Sequence, residues 1–142
     1  MTGAEPAPAP AFTHSLDVRY GECDQQGVVF NAHYLAYIDT AMDHWMRSLD
    51  GLGWVDSWDV MLKKSVITWH SPARWAELIS IDCSVSRWGT TSFDVTYVLS
   101  VRDRAVADAV VTYISVAQGS VSPTPIPEGV RRALDAPLAP GR

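Results

Sequence analysis

The feature that most constrains this chain is a change of hydrophobic period along it. Tyr34, Ile38, Ala41, Met42, Trp45 and Leu49 recur at steps of three and four residues, which makes one wide apolar stripe on a helix. On both sides of that stretch the period drops to two, the alternation of strands with one buried face. Before it, Phe12, Leu16, Val18 and Tyr20 alternate with Thr13, Ser15, Asp17 and Arg19. After it, four long segments keep the pattern, about Val60–Ser71, Glu77–Trp88, Thr90–Arg102 and Ala105–Ala117.

This order, strand then long helix then four strands, predicts an α+β domain in which one helix and one sheet bury each other's apolar faces. At about 1.5 Å per residue the helix, about Asn31–Leu49, reaches ~28 Å and can cross several strands. Asn31 is placed to cap its first turn through a side-chain oxygen, and Gly51 and Gly53 to end it. Gly89 and the Asp103–Arg104 pair fall where tight turns are needed, so the last three strands read as an antiparallel meander. A short helix is expected around Glu128–Leu134. The domain spans 11–135, between a disordered N-terminal tail (1–10) and a C-terminal tail (136–142). A five-stranded sheet curled round one helix has edges to cover, so a homodimer or homotetramer is expected.

Composition removes several classes of function. Net charge is −5 and the basic residues are scattered, so no clustered footprint for nucleic acid exists. No apolar run approaches the ~20 residues of a membrane helix. Met1–Pro10 has no basic region ahead of an apolar stretch and does not read as a signal peptide. Cys23 and Cys83 form neither a disulfide framework nor a metal-ligand spacing. The expectation is a cytoplasmic protein with no cofactor and no metal.

The densest cluster of unusual residues runs from Tyr20 to Tyr34. It sets the carboxylate of Asp24 seven residues before Asn31, across a turn containing Gly27. A helix start offers free N–H groups and partial positive charge to a carbonyl oxygen that is becoming anionic. A carboxylate on the other side of that carbonyl could attack it or activate water. An Asp in a polar turn is also a common turn former, and residue chemistry alone leaves both readings open. Cys23 lacks a placed partner base and reads as packing. His33 reads as a surface or interface residue.

The segment resembles the signature of the 4-hydroxybenzoyl-CoA thioesterase-like hotdog family, approximately D-x-x-G-x-V-(Y/W/N)-(N/H/Y)-x-x-Y. Asp24, Gly27, Val29, Asn31 and Tyr34 fall on it, and Phe30 keeps its aromatic position. Ser71-Pro72-Ala73-Arg74-Trp75 resembles the family's "PARYGD" turn, Ser92-Phe93 its "SF" strand start, and Pro125-Ile126-Pro127 its "PIP". The resemblance implies the hotdog fold, a central helix wrapped by a curved five-stranded antiparallel sheet, with active sites at dimer interfaces. It implies hydrolysis of an acyl-CoA thioester to free acid and CoA, with Asp24 as nucleophile or general base. The backbone at Asn31 would polarise the carbonyl, and Gly27, Phe30, Tyr34, Asp39 and Ser92 would line the substrate site. Trp54 and Trp58 are candidates for an acyl pocket. The chain departs from its relatives at Asn31, often His, and at Gly89-Thr90-Thr91, where benzoyl-type relatives carry basic residues. The alternatives are an acyl-carrier-protein thioesterase and a non-catalytic acyl-binding protein. A hydratase is disfavoured because no D-x-N-P-x-H run occurs.

Overall fold

A computed structural model describes residues 9–49 and 57–136. Strand β1 (Phe12–Asp17) leads through a single turn of 3-10 helix (Tyr20–Glu22) to helix α1 (Ala32–Ser48). Strands β2 (Trp58–Trp69), β3 (Leu78–Trp88), β4 (Ser92–Val101) and β5 (Arg104–Ala117) follow, and helix α2 (Glu128–Asp135) closes the described chain. The first strand is shorter than its alternation suggests. After Asp17 the chain leaves the ladder, and Val18 N–H donates instead to Glu77 O at 2.9 Å. Gly51, Gly53 and Trp54 lie outside the described residues.

The sheet is antiparallel with strand order β1-β3-β4-β5-β2. The predicted meander is its centre. β1 and β2, which enclose the helix in sequence, form its two edges. The helix stripe is buried through Tyr34, Tyr37, Ile38, Ala41, Met42 and Trp45. It faces Ile79, Ile81 and Cys83 from β3, Phe93, Val95, Tyr97 and Leu99 from β4, and Ala109, Val111 and Tyr113 from β5. Burying each large side chain of this kind contributes roughly 1.5–3 kcal/mol. Val130 and Leu134 of α2 are also buried, and Trp88 Nε1–H donates to Asp135 at 3.0 Å, which fixes this helix against β3.

Two local features prepare the site. β2 is an edge strand with Met61, Leu62, Val66 and Trp69 exposed, an apolar composition unusual for an open edge. The connection from β2 to β3 is clamped to the helix through Ala73. Its N–H donates to Tyr34 Oη at 3.1 Å, and its carbonyl accepts from Val29 N–H at 2.9 Å.

Candidate active site

Residues 22–30 form a miniature hairpin rather than an open turn. Phe30 N–H donates to Glu22 O at 2.9 Å, Cys23 bridges Val29, and Asp24 N–H donates to Val28 O at 2.9 Å. Gly27 closes it, with its N–H on Asp24 O at 3.0 Å and a φ of +78°, a conformation that a side chain resists. The Asp24 carboxylate takes part in this turn. Oδ1 accepts from Gln26 N–H at 2.8 Å, while Oδ2 has no partner among the described residues. Asp24 lines a cavity of about 500 Å³ with Tyr20, Gly21, Cys23, Gln25, Gly27 and Trp75.

Glu22 anchors the base of the hairpin, a role the sequence did not reveal. Its carboxylate accepts from Arg19 N–H and Tyr37 O–H, each at 2.8 Å, and pairs with the Arg19 guanidinium at 3.1 Å. Desolvation would raise its pKa, but these hydrogen bonds and the guanidinium outweigh that and hold it below the usual carboxylate value. The same contact, after burial itself, pushes the Tyr37 phenol well above its ordinary value. The available signal was a Glu two turns before the helix with an Arg at i−3, which alone does not single out a site.

The hairpin feeds directly into the helix. The first helical bond is His33 N–H to Phe30 O at 2.9 Å, and Asn31 already has helical dihedrals, φ −50° and ψ −40°. Asn31 therefore does not cap the helix as expected. A capping side chain needs an extended backbone, and its bond is absent. The N–H groups of Asn31 and Ala32 have no acceptor among the described residues. They open near a cavity of about 270 Å³ lined by Val28, Val29, Asn31, Tyr34, Trp69 and Ser71. Tyr34 contributes its ring, because its hydroxyl is already used by Ala73. Phe30 is exposed beside His33.

Asp39 lies further along the helix, in a third cavity of about 430 Å³ with Met42, Met46, Trp58, Val60 and Tyr113. Asp43, Asp59 and Gln118 also line this cavity, and the Asp39 carboxylate, although accessible, is buried enough for desolvation to raise its pKa. Tyr113 Oη sits 2.6 Å from Tyr97 Oη at the floor of this region. Trp58 is held by its indole N–H on Ser115 Oγ at 2.8 Å. Ser92 joins none of these three cavities. Its hydroxyl accepts from Arg87 at 3.0 Å, and the same guanidinium is held by Asp94 at 2.9 and 3.2 Å. Among the described residues no cluster of three metal-ligating side chains exists. No helix there is long and apolar enough to cross a membrane.

Residues 18–134 match the family model of the thioesterase-like superfamily. The chain belongs to that superfamily. A hypothetical protein from Aquifex aeolicus superimposes with a TM-score of 0.77 at 23% identity, covering 87% of this chain and 99% of its own. A 1,4-dihydroxy-2-naphthoyl-CoA thioesterase from Synechocystis does so with 0.73 at 20%, over 87% and 94%. A gentisyl-coenzyme A thioesterase gives 0.75 at 20%, over 87% and 99%. No curated protein sequence matches. At these identities the structural likeness establishes the hotdog fold. Membership of the superfamily makes this chain a thioesterase-type protein.

Proposed function

We propose that this chain hydrolyses acyl-CoA thioesters to a free acid and CoA, with Asp24 as the reacting carboxylate. The observation that carries the reading is the state of that carboxylate. Oδ1 is tethered to the Gln26 N–H and Oδ2 is unengaged at a cavity wall. A tethered carboxylate with one free oxygen is oriented without being consumed by its own turn. Oδ2 attacks the thioester carbon, or takes a proton from the water that does so. The carbonyl oxygen gains negative charge and meets the N–H groups of Asn31 and Ala32 at the positive end of the helix dipole. The C–S bond then breaks and the thiolate leaves. After direct attack, water hydrolyses the acyl–Asp24 anhydride to release the acid. In the water route the acid forms at once and the proton held by Asp24 passes to the thiolate.

The acyl group occupies the cavity of Asp39, Met42, Met46, Trp58 and Val60. A ring there packs on Trp58, and a ring hydroxyl donates to Asp39. We assign hydroxylated aryl acids as the preferred acyl class on that basis. The Asp24 cavity lies in the hairpin ahead of α1, and the other two lie at its start and further along it. Pairing of β2 with a second copy offers the way to join them. Antiparallel pairing lays the Trp58 end of one β2 beside the Trp69 end of the other. One chain's acyl cavity then meets the other chain's helix start. Gly27, Phe30 and Tyr34 stay close to the carbonyl in this arrangement. Ser92 has only a supporting part, through its bond to Arg87.

Thiol release from a panel of alkyl- and aryl-CoA thioesters tests the activity. Turnover is expected, highest on hydroxybenzoyl-type substrates. Asp24→Asn keeps an oxygen for the Gln26 N–H but loses the basicity, so kcat should fall ~10²–10⁴-fold with the melting temperature almost unchanged. Near-normal turnover in that variant would remove Asp24 from the reaction.

A further inference from the structure

We infer that the cavity around Asp24 receives the phosphopantetheine arm of the leaving thiol, with Trp75 and Tyr20 as its wall and Arg74 as its phosphate contact. This rests on the thioesterase reading above, since it assigns the group on the far side of the same carbonyl. Three observations carry it. The first is a pair of bare aromatic rings. Tyr20 is 76% and Trp75 60% exposed, and the rings meet edge to face at 5.5 Å, forming one surface in the cavity that holds Asp24. Ring surface of this extent is normally covered by something.

The second is which occupant fits. In the proposed function the acyl group has a separate cavity, at Trp58. What must lie beside Asp24 is therefore the leaving arm, a chain of short aliphatic pieces and amides. Aromatic faces suit it, because they cover the aliphatic pieces while the amides stay hydrated. The third is the distribution of unspent cations. Arg87 is locked by Asp94 and Ser92, Arg19 by Glu22, and Arg104 by Glu77 and Pro72 O. Arg74 is exposed, and its guanidinium makes no hydrogen bond or ion pair among the described residues. Its backbone pairs with Val28, next to Gly27 in the cavity wall, and its neighbour is Trp75. Its nearest acid, Glu77, is already bonded to Arg104, and a guanidinium with no direct partner at that position suits the phosphate at the end of the arm.

CoA and an acyl carrier protein both present this arm, so the test uses the arm alone and then each source. Calorimetric titration of the full chain with 4′-phosphopantetheine should show binding, weakened about tenfold by Trp75→Ala and about tenfold by Arg74→Gln. Trp75→Phe should retain most of it. In turnover, one acyl group is compared on CoA, on a carrier protein and on N-acetylcysteamine. Trp75→Ala should lose about tenfold more in kcat/KM on the two long-armed thioesters than on the short one. The carrier favoured by the parent protein identifies the source. Unchanged titration in both variants overturns the proposal. So do equal losses on all three thioesters, above all with a changed oligomeric mass, which would make Trp75 a subunit contact. If Trp75→Ala fails to fold, Arg74→Gln decides by itself, being a change at an exposed side chain. Binding of the arm without turnover of any thioester would sink the thioesterase reading and leave the arm site standing.

Discussion

Two carboxylates of this chain are treated in opposite ways. Asp24 is exposed and tethered by one oxygen, whereas partial burial pushes Asp39 toward its neutral form. Raising an acid's pKa on folding means that the folded state disfavours the charge. The cost is present at neutral pH and disappears as pH falls and the carboxyl protonates in both states. Asp39→Asn should therefore raise the melting temperature at pH 7, with a gain that shrinks on acidification. The same variant should lose preference for hydroxylated over unsubstituted aryl thioesters, because the amide is a weaker acceptor. A stability gain with specificity intact would mean that Asp39 does not touch the acyl group. Such a destabilising residue kept in a cavity is a common stability–function compromise.

At the scale of elements, period carried most of the information. The helix stripe and the inner faces of β3 and β4 were legible because each repeats over many residues. The hairpin at 22–30 was not, because each arm is only about three residues long and holds no period. The Asn31 cap failed for a related reason, since the hairpin delivers the chain already wound, one residue early. Strand order was also beyond the pattern. That β1 lies beside β3 and β2 beside β5 depends on contacts distant in sequence.

Another cross-element contact was equally hidden. His14 of β1 stacks on His44 of α1, with ring centroids 4.2 Å apart and planes at 16°. Burial, and then the second imidazole, lower the pKa of His14 from 6.5. The folded chain therefore binds this proton less readily than the unfolded one, so stability is complete above the ordinary imidazole value and declines as pH falls below it. Thermal melts should show this loss beginning below about pH 6.5. It should precede the loss from Glu22, Glu77 and Asp94, whose lowered pKa values act only in the carboxylate range. His44→Gln should reduce the first phase and His14→Gln should flatten it, and an unaltered slope in the latter would assign it elsewhere.

At the scale of the whole molecule, β2 is the unresolved business of a single chain. Val66, 51% exposed at mid-strand, and its neighbours Met61, Leu62 and Trp69 give an apolar edge that pairing with a copy would cover. Light scattering at micromolar concentration should give a multiple of the 15.6 kDa chain mass, and Val66→Lys should drive it toward that mass. A parent protein that already runs as a monomer would refute both the pairing and the shared site.

β2 is at once a wall of the Asp39 cavity, through Trp58, Val60 and Leu62, and the open border of the sheet. In the proposed pairing, ligand and subunit would act on the same strand. A ligand that binds this cavity more tightly in the paired form than in the single chain would strengthen association, and association would raise its affinity by the same factor. Dilution would then work as an inhibitor, and saturating substrate as its antidote.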